Sequence, residues 1–225
     1  ILIKIQRGEL MMDLTTAMAQ DNGIQANLLG PEDVKLAASL LYVAYKDDPI
    51  FMSIFESDKT DYDKRLRAAI REELNTFWSS RQPMIGLFSG DHLMGVACLI
   101  EPQAGINPDR FWHWRLKMML NAGFLSTKNM IEKEKRVAAA IPNLHYHLLT
   151  FIAIHPDHQS HGLGSYLIRA VDSVVNDHDL SEGVAVFVTK SQNMPLFDND
   201  AYNVLDTIKV GSESGTLMFR NKVEK

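Results

Sequence analysis

At 225 residues, with hydrophobic side chains making up 46%, the chain is long enough to bury a full core and too apolar for global disorder. A formal net charge of −5 argues against a nucleic-acid binder, and no apolar run approaches the roughly 20 residues of a membrane span. A single cysteine, Cys98, excludes an internal disulfide framework and suits a reducing, cytoplasmic setting; its apolar flanks Val96-Ala97 and Leu99-Ile100 mark it as a buried structural thiol.

Residues 1–22 lack the ordered regions of a signal peptide and read as an extension or loosely held arm, ahead of a single domain over 23–225. Ile24–Leu29 predicts a first strand. Gly30-Pro31 then opens a helix whose apolar spacing (Val34, Ala37, Ala38, Leu41, Tyr45) runs until Asp47-Asp48-Pro49 stops it. A second helix follows Thr60, whose hydroxyl can cap it, and buries Leu66, Ile70, Leu74 and Phe77. Met84–Ser89 and His92–Ile100 predict a hairpin turned at Gly90-Asp91. Residues 103–142 form a helical insertion, first rich in Trp and Met, then charged over about 127–140. A strand over 145–154, a helix over 162–177 and a strand Val184–Thr189 make a right-handed crossover. A short helix over Asn193–Tyr202 and a closing antiparallel pair, Val204–Val210 with Thr216–Arg220, complete an α/β fold with a mixed sheet.

The most informative stretch is where the strand ending Phe151-Ile152-Ala153-Ile154 passes through His155-Pro156 into Gln159-x-x-Gly162-x-Gly164 and a helix. The first backbone N–H groups of a helix have no partner inside it and lie at its positive dipole end, so this layout makes an anion site. Glycines there keep Cβ atoms away from an approaching phosphate. The dinucleotide fingerprint fails because Leu167 stands at the third glycine position, and no P-loop run occurs. A purely structural strand–turn–helix, with glycines chosen for packing, is the competing explanation.

Strand, proline, Gln159 and both glycines together resemble the acyl-CoA signature of the GCN5-related N-acetyltransferases, and the element order matches that family over about 24–220. The resemblance implies a mixed, mostly antiparallel central sheet flanked by helices, with the helical insertion between strands 3 and 4. It implies acetyl-CoA as acyl donor and a primary amine of a small molecule or peptide as acceptor, joined by direct attack in a ternary complex. Backbone groups of Ile152, Ala153 and Ile154 would pair with the pantetheine amides. The pyrophosphate would sit on the N–H groups of His161, Gly162, Leu163, Gly164 and Ser165, with Gln159 and Ser160 at the start of the loop. Asn193 would lie beside the pantetheine arm. Phe197 stands where the family usually carries a tyrosine that protonates the departing thiolate, and phenylalanine has no proton to give.

The base is equally unusual. Leu148 and Thr150 hold the in-phase positions where relatives carry Glu or His. His147 is out of phase by one residue on a regular pleat, so a bulge is needed to bring it round. Glu101, at the end of the neighbouring strand, is the other candidate. His155, His158 and His161 recur every third residue across a proline-containing loop rather than on one helical face, which does not make a metal site. The insertion serves either acceptor specificity or a satellite core around Trp112 and Trp114. A non-catalytic acyl-CoA-binding module is the alternative function, and Phe197 together with the vacant base positions favours it.

Overall fold

The computed structural model describes residues 23–102, 118–120, 122–142, 145–197 and 201–223. The expectations for 1–22, and for the aromatic part of the insertion with Trp112 and Trp114, lie outside the described residues. Among the described residues, seven strands form one sheet in the order β1-β2-β3-β4-β5-β7-β6. They are β1 (Ile24–Leu28), β2 (Met84–Ser89), β3 (His92–Ile100), β4 (His147–Ile154), β5 (Gly183–Val188), β6 (Tyr202–Val210) and β7 (Glu213–Asn221). Every neighbouring pair is antiparallel except β4 with β5. The helices are α1 (Val34–Tyr45), α2 (Pro49–Phe55), α3 (Tyr62–Ser79), α4 (Phe124–Ala139) and α5 (Leu163–Asp177). The fold is therefore the mixed, mostly antiparallel α/β architecture expected, and α4 falls between β3 and β4.

Side chains alternate between two cores, one on each face of the sheet. On one face α1, α2, α3 and α4 pack over Val96, Cys98, Phe151 and Ala153. On the other, α5 lays Leu163, Leu167, Ala170, Val171 and Val174 against Ala97, Leu99 and Leu149. Fully burying each such aliphatic side chain stabilises the fold by about 1.5–3 kcal/mol, so the amphipathic stripe of α5 largely decides where that helix sits.

Local chemistry departs from the sequence expectations at three helix ends. Asp47-Asp48-Pro49 does stop α1, but it also starts α2: Pro49 takes the first helical position, and Asp48 Oδ1 accepts from Ile50 N–H at 3.0 Å and Phe51 N–H at 3.2 Å. Thr60 does not cap α3; Asp61 takes that position, with no side-chain cap bond. Instead of a final α-helix there is a 3₁₀ segment, Ser191–Leu196, which carries Pro195 inside it.

Two irregularities in the sheet position everything that follows. Parallel pairing of β4 with β5 stops after Leu149 opposite Val186, so the two strands diverge beyond that point. In β4, Leu149 faces Leu99 and Phe151 faces Cys98, which leaves Thr150 as an extra, bulged residue. The bulge reverses the alternation. Leu148 and Leu149 lie on the α1–α4 face and the α5 face respectively, whereas beyond Thr150 it is Phe151 and Ala153 that join the α1–α4 face.

Candidate active site

A cleft of about 710 Å³ opens where β4 and β5 part. One end is the start of α5, the middle is the free edge of β4 with the end of α1 against it, and Glu101, following β3 beside Leu148, lies away from α5. At the α5 end, Gln159, Ser160, Gly162, Leu163 and Gly164 line the cleft. Ser160 and Gly162 both have left-handed backbone, with φ of 66° and 75°. Such a conformation is natural for glycine and costs a serine on the order of 1 kcal/mol, so the loop is held against a local preference. A Cβ at Gly162 would meet nothing within 4 Å, so its glycine answers to φ alone. At Gly164 a Cβ would come within 2.9 Å of Leu196 Cδ1. That glycine therefore lets α5 close against the 3₁₀ segment, a packing reason beside the expected phosphate one.

The expected run of N–H groups is narrower in the structure. Ser165 N–H donates to Gly162 C=O at 3.1 Å, and neither His161 nor Ser165 lines the cleft. Gln159 turns back on the strand, its Nε2 donating to Ile154 C=O at 3.0 Å.

Backbone groups alternate between the two edges of a strand. His155 N–H, in phase with Ala153, donates to Met94 C=O of β3. Ile152 and Ile154 therefore turn their backbone groups to the cleft, and Ala153 offers it only its side-chain surface. Tyr45, the last residue of α1, meets the strand here. Its hydroxyl donates to Ile152 C=O at 3.0 Å and accepts from Ile152 N–H at 3.2 Å. Three residues on, Asp48 Oδ2 accepts from Thr189 Oγ1 just beyond β5. The α1–α2 corner thus touches both sides of the fork.

Glu101 lines the far end of the cleft, and its N–H is held by Gln82 Oε1 at 2.8 Å. Burial raises its pKa above the ordinary carboxylate value, partly offset by His178 nearby. Asp47, Glu73 and Glu134 also line the cleft, as does Lys133, whose ammonium lies 5.7 Å from the centre of the Phe51 ring.

His147 is elsewhere. The bulge that would bring it round does exist, but the residues it brings into phase with His147 are Ile152 and Ile154, on the face packed by α5. His147 is fully buried and absent from the cleft lining. Its Nδ1 lies 2.8 Å from Ser181 Oγ, which itself donates to Gly183 C=O at 3.1 Å. The serine proton being committed, Nδ1 carries the imidazole proton, and Nε2 is buried with no partner among the described residues. Burial first, then the charges of His178 and Lys222, push its pKa down to about 3. A base so weak and so placed does not serve the cleft, and His147 is withdrawn as a catalytic candidate.

That depressed value has a consequence for stability. A histidine that binds its proton less tightly folded than unfolded adds stability above its ordinary pKa near 6.5, which is lost as pH falls from there toward the folded value. The melting temperature is expected to drop progressively below pH 6.5, and His147→Gln should flatten that decline in a pH series of thermal melts. An unchanged slope would assign the acid loss to other groups.

Phe197 is 2% exposed, lines the cleft, and packs edge-on against Tyr202 at a centroid distance of 5.3 Å. Tyr202 does not line the cleft, so it supplies no hydroxyl in place of the one Phe197 lacks. Asn193 does line it. Cys98 is fully buried, and burial raises its thiol pKa, consistent with an inert structural thiol. No group of three or more His, Cys, Asp or Glu suited to a metal occurs among the described residues. Tyr45, Asp48, Glu73 and Lys133 are cleft residues that the sequence alone did not single out.

The sheet thus forks between its two parallel strands, with a helix start beside the opening. The sequence profile of the acetyltransferase (GNAT) family matches residues 49–197, and the chain belongs to that family. Similar solved structures include an agmatine N-acetyltransferase (13% identity, 88% of this chain and 99% of that one, TM-score 0.58). A mosquito arylalkylamine N-acetyltransferase like 5b matches at 11% identity, over 88% and 99% of the two chains, with TM-score 0.57. The ribosomal-protein-S18-alanine N-acetyltransferase of Escherichia coli matches at 13% identity, over 90% and 96%, with TM-score 0.51. At such identities the likeness shows the fold. No curated protein sequence matches the chain significantly. No helix among the described residues is long and apolar enough to cross a membrane.

Proposed function

We propose that this chain, as a single domain over 23–225, is an N-acetyltransferase that uses acetyl-CoA and transfers acetyl to a primary amine of a small molecule or peptide by direct attack in a ternary complex. The observation that carries this reading is the fork itself: β4 keeps two cleft-facing backbone positions, Ile152 and Ile154, beside a helix start with left-handed Ser160 and Gly162. These residues fit the group, since an amide arm needs a strand edge without a neighbouring strand, here met only by the Tyr45 and Gln159 side chains, and a pyrophosphate needs a helix N-terminus. Acetyl-CoA, when bound, supplies an acetyl group already activated as a thioester.

The chain's own residues then have distinct tasks. The strand edge orients the donor, and the start of α5 holds its phosphates. Glu101 takes the proton that an ammonium must lose before it can attack; burial lifts its proton affinity toward a useful range. Asp47, Glu73, Glu101 and Glu134 all line the cleft, and carboxylates there raise the local concentration of a cationic amine. The α4 residues Lys133 and Glu134 give the insertion a direct part in shaping the cleft. A buried, unpaired Cys98 supports work in a reducing cytoplasm. Acetyl-CoA turnover over an amine panel, with calorimetry of CoA binding, tests the reading; indifference to CoA in both would end it.

Phe197 keeps a second reading in play, a binding module that holds acyl-CoA without turnover. A thiolate with an ordinary pKa near 8.5 can leave unaided, so the missing acid slows transfer without forbidding it. Phe197→Tyr is expected to raise single-turnover transfer, by well under the 10²–10⁴-fold typical of an optimised general acid. If both proteins bind CoA and neither acetylates any amine, the binding module takes precedence.

A further inference from the structure

The contact between Tyr45 and Ile152 joins the end of α1 to the one stretch of β4 that has no strand partner on its cleft side. One hydroxyl there answers both backbone groups of one residue, donating to the carbonyl and accepting from the N–H. An amide running alongside the strand offers the same pair of functions, one donor and one acceptor. Tyr45 is held in this place. Its ring packs edge-on against Phe51 at 5.3 Å and Phe151 at 5.6 Å, while Asp48 fastens the same corner to Thr189. It also lies just outside the stretch matched by the family profile, which begins at residue 49.

We propose that the Tyr45 hydroxyl is a built-in substitute for a pantetheine amide, occupying the hydrogen-bonding place on Ile152 that the cofactor's arm must take, so that the two compete for one strand position. The proposal rests on the reading of the cleft as a CoA site. It gives the part-buried strand edge a partner within the chain, since N–H and C=O groups shielded from water and left unanswered are costly. It also makes CoA affinity depend on a residue of the α1–α2 corner, because the corner must yield Ile152 for the arm to dock.

The alternative, that Tyr45 replaces the acid missing at Phe197, is disfavoured on the same facts. Burial raises the phenol's pKa above its ordinary value of 10, which makes proton transfer to a thiolate uphill. Its hydrogen is already engaged by Ile152 C=O.

Tyr45→Phe keeps both ring contacts and removes only the competing hydroxyl. Calorimetry should show CoA binding roughly three- to tenfold tighter to the variant, the effect of one or two modest hydrogen bonds no longer to be displaced. Binding of 3′,5′-ADP, which has the phosphates and no pantetheine arm, should be unchanged. Unchanged or weaker CoA binding with intact 3′,5′-ADP binding would overturn the proposal and leave the cofactor site standing. Failure of the wild-type chain to bind either probe would overturn the cofactor site, and the proposal with it. Should the variant not fold, the wild-type chain still decides: CoA, but not 3′,5′-ADP, should shift the Tyr45 ring resonances, and an unmoved ring would reject displacement.

Discussion

Replacing Glu101 with Gln is expected to lower kcat/KM for amine acetylation by about 10²–10³-fold, within the range a positioned base contributes. Affinity for CoA should stay nearly unchanged, because Glu101 lies at the far end of the cleft from α5. The substitution keeps shape and removes only the proton acceptor. Its pH signature separates a base from a wall residue. A carboxyl whose pKa is raised by burial must first ionise, so in the wild type kcat/KM climbs as pH rises through that value. Glu101→Gln should lose that acidic limb and keep any rise at higher pH that reports deprotonation of the amine itself. An unaltered rate with an unaltered profile would mean that the proton leaves by another route.

Replacing Gly164 with Asp should weaken CoA binding at least tenfold, about 1.4 kcal/mol, with little loss of thermal stability. The two effects part company because they have different causes. A carboxylate in the first turn of α5 is favourable to the helix dipole by about 0.3–1 kcal/mol, which offsets the strain of moving Leu196 Cδ1 from a Cβ 2.9 Å away. Beside a pyrophosphate the same charge is repulsive. Gly164→Ala brings the Cβ without the charge and should retain most of the affinity. Equal losses in the two variants would make packing against Leu196 the whole effect, and comparable CoA affinity in all three proteins would remove the phosphates from this helix start.

The hairpin is legible in the sequence because its turn rests on local chemistry with few solutions. Gly90 has φ of 56°, and Gly90-Asp91 sets the ends of β2 and β3 where the hairpin pattern put them. The fork could be foreseen only through family resemblance, because nothing in Leu148–Ile154 says where pairing with β5 will stop. The bulge at Thr150 has no marker at all; a threonine suits a regular strand equally well. His147 shows the cost, since its face depends on that bulge and its partner Ser181 is set by the chain's return. Asp48 read as punctuation before a proline, yet its second carboxylate oxygen meets Thr189, 141 residues away. Contacts of that range are decided by tertiary packing rather than by spacing.

The extra residue in β4 acts as a spatial frameshift. Counting by twos is valid from Tyr146 to Leu149 and again from Phe151 to Ile154, but not across Thr150. Any chain aligned to this strand without a gap at Thr150 would have its residues assigned to opposite faces on one side of it. Deleting Thr150 would consequently cost little in the core: Leu149 and Phe151 would become neighbours opposite Leu99 and Cys98, already adjacent in β3, and every remaining side chain would keep its present face.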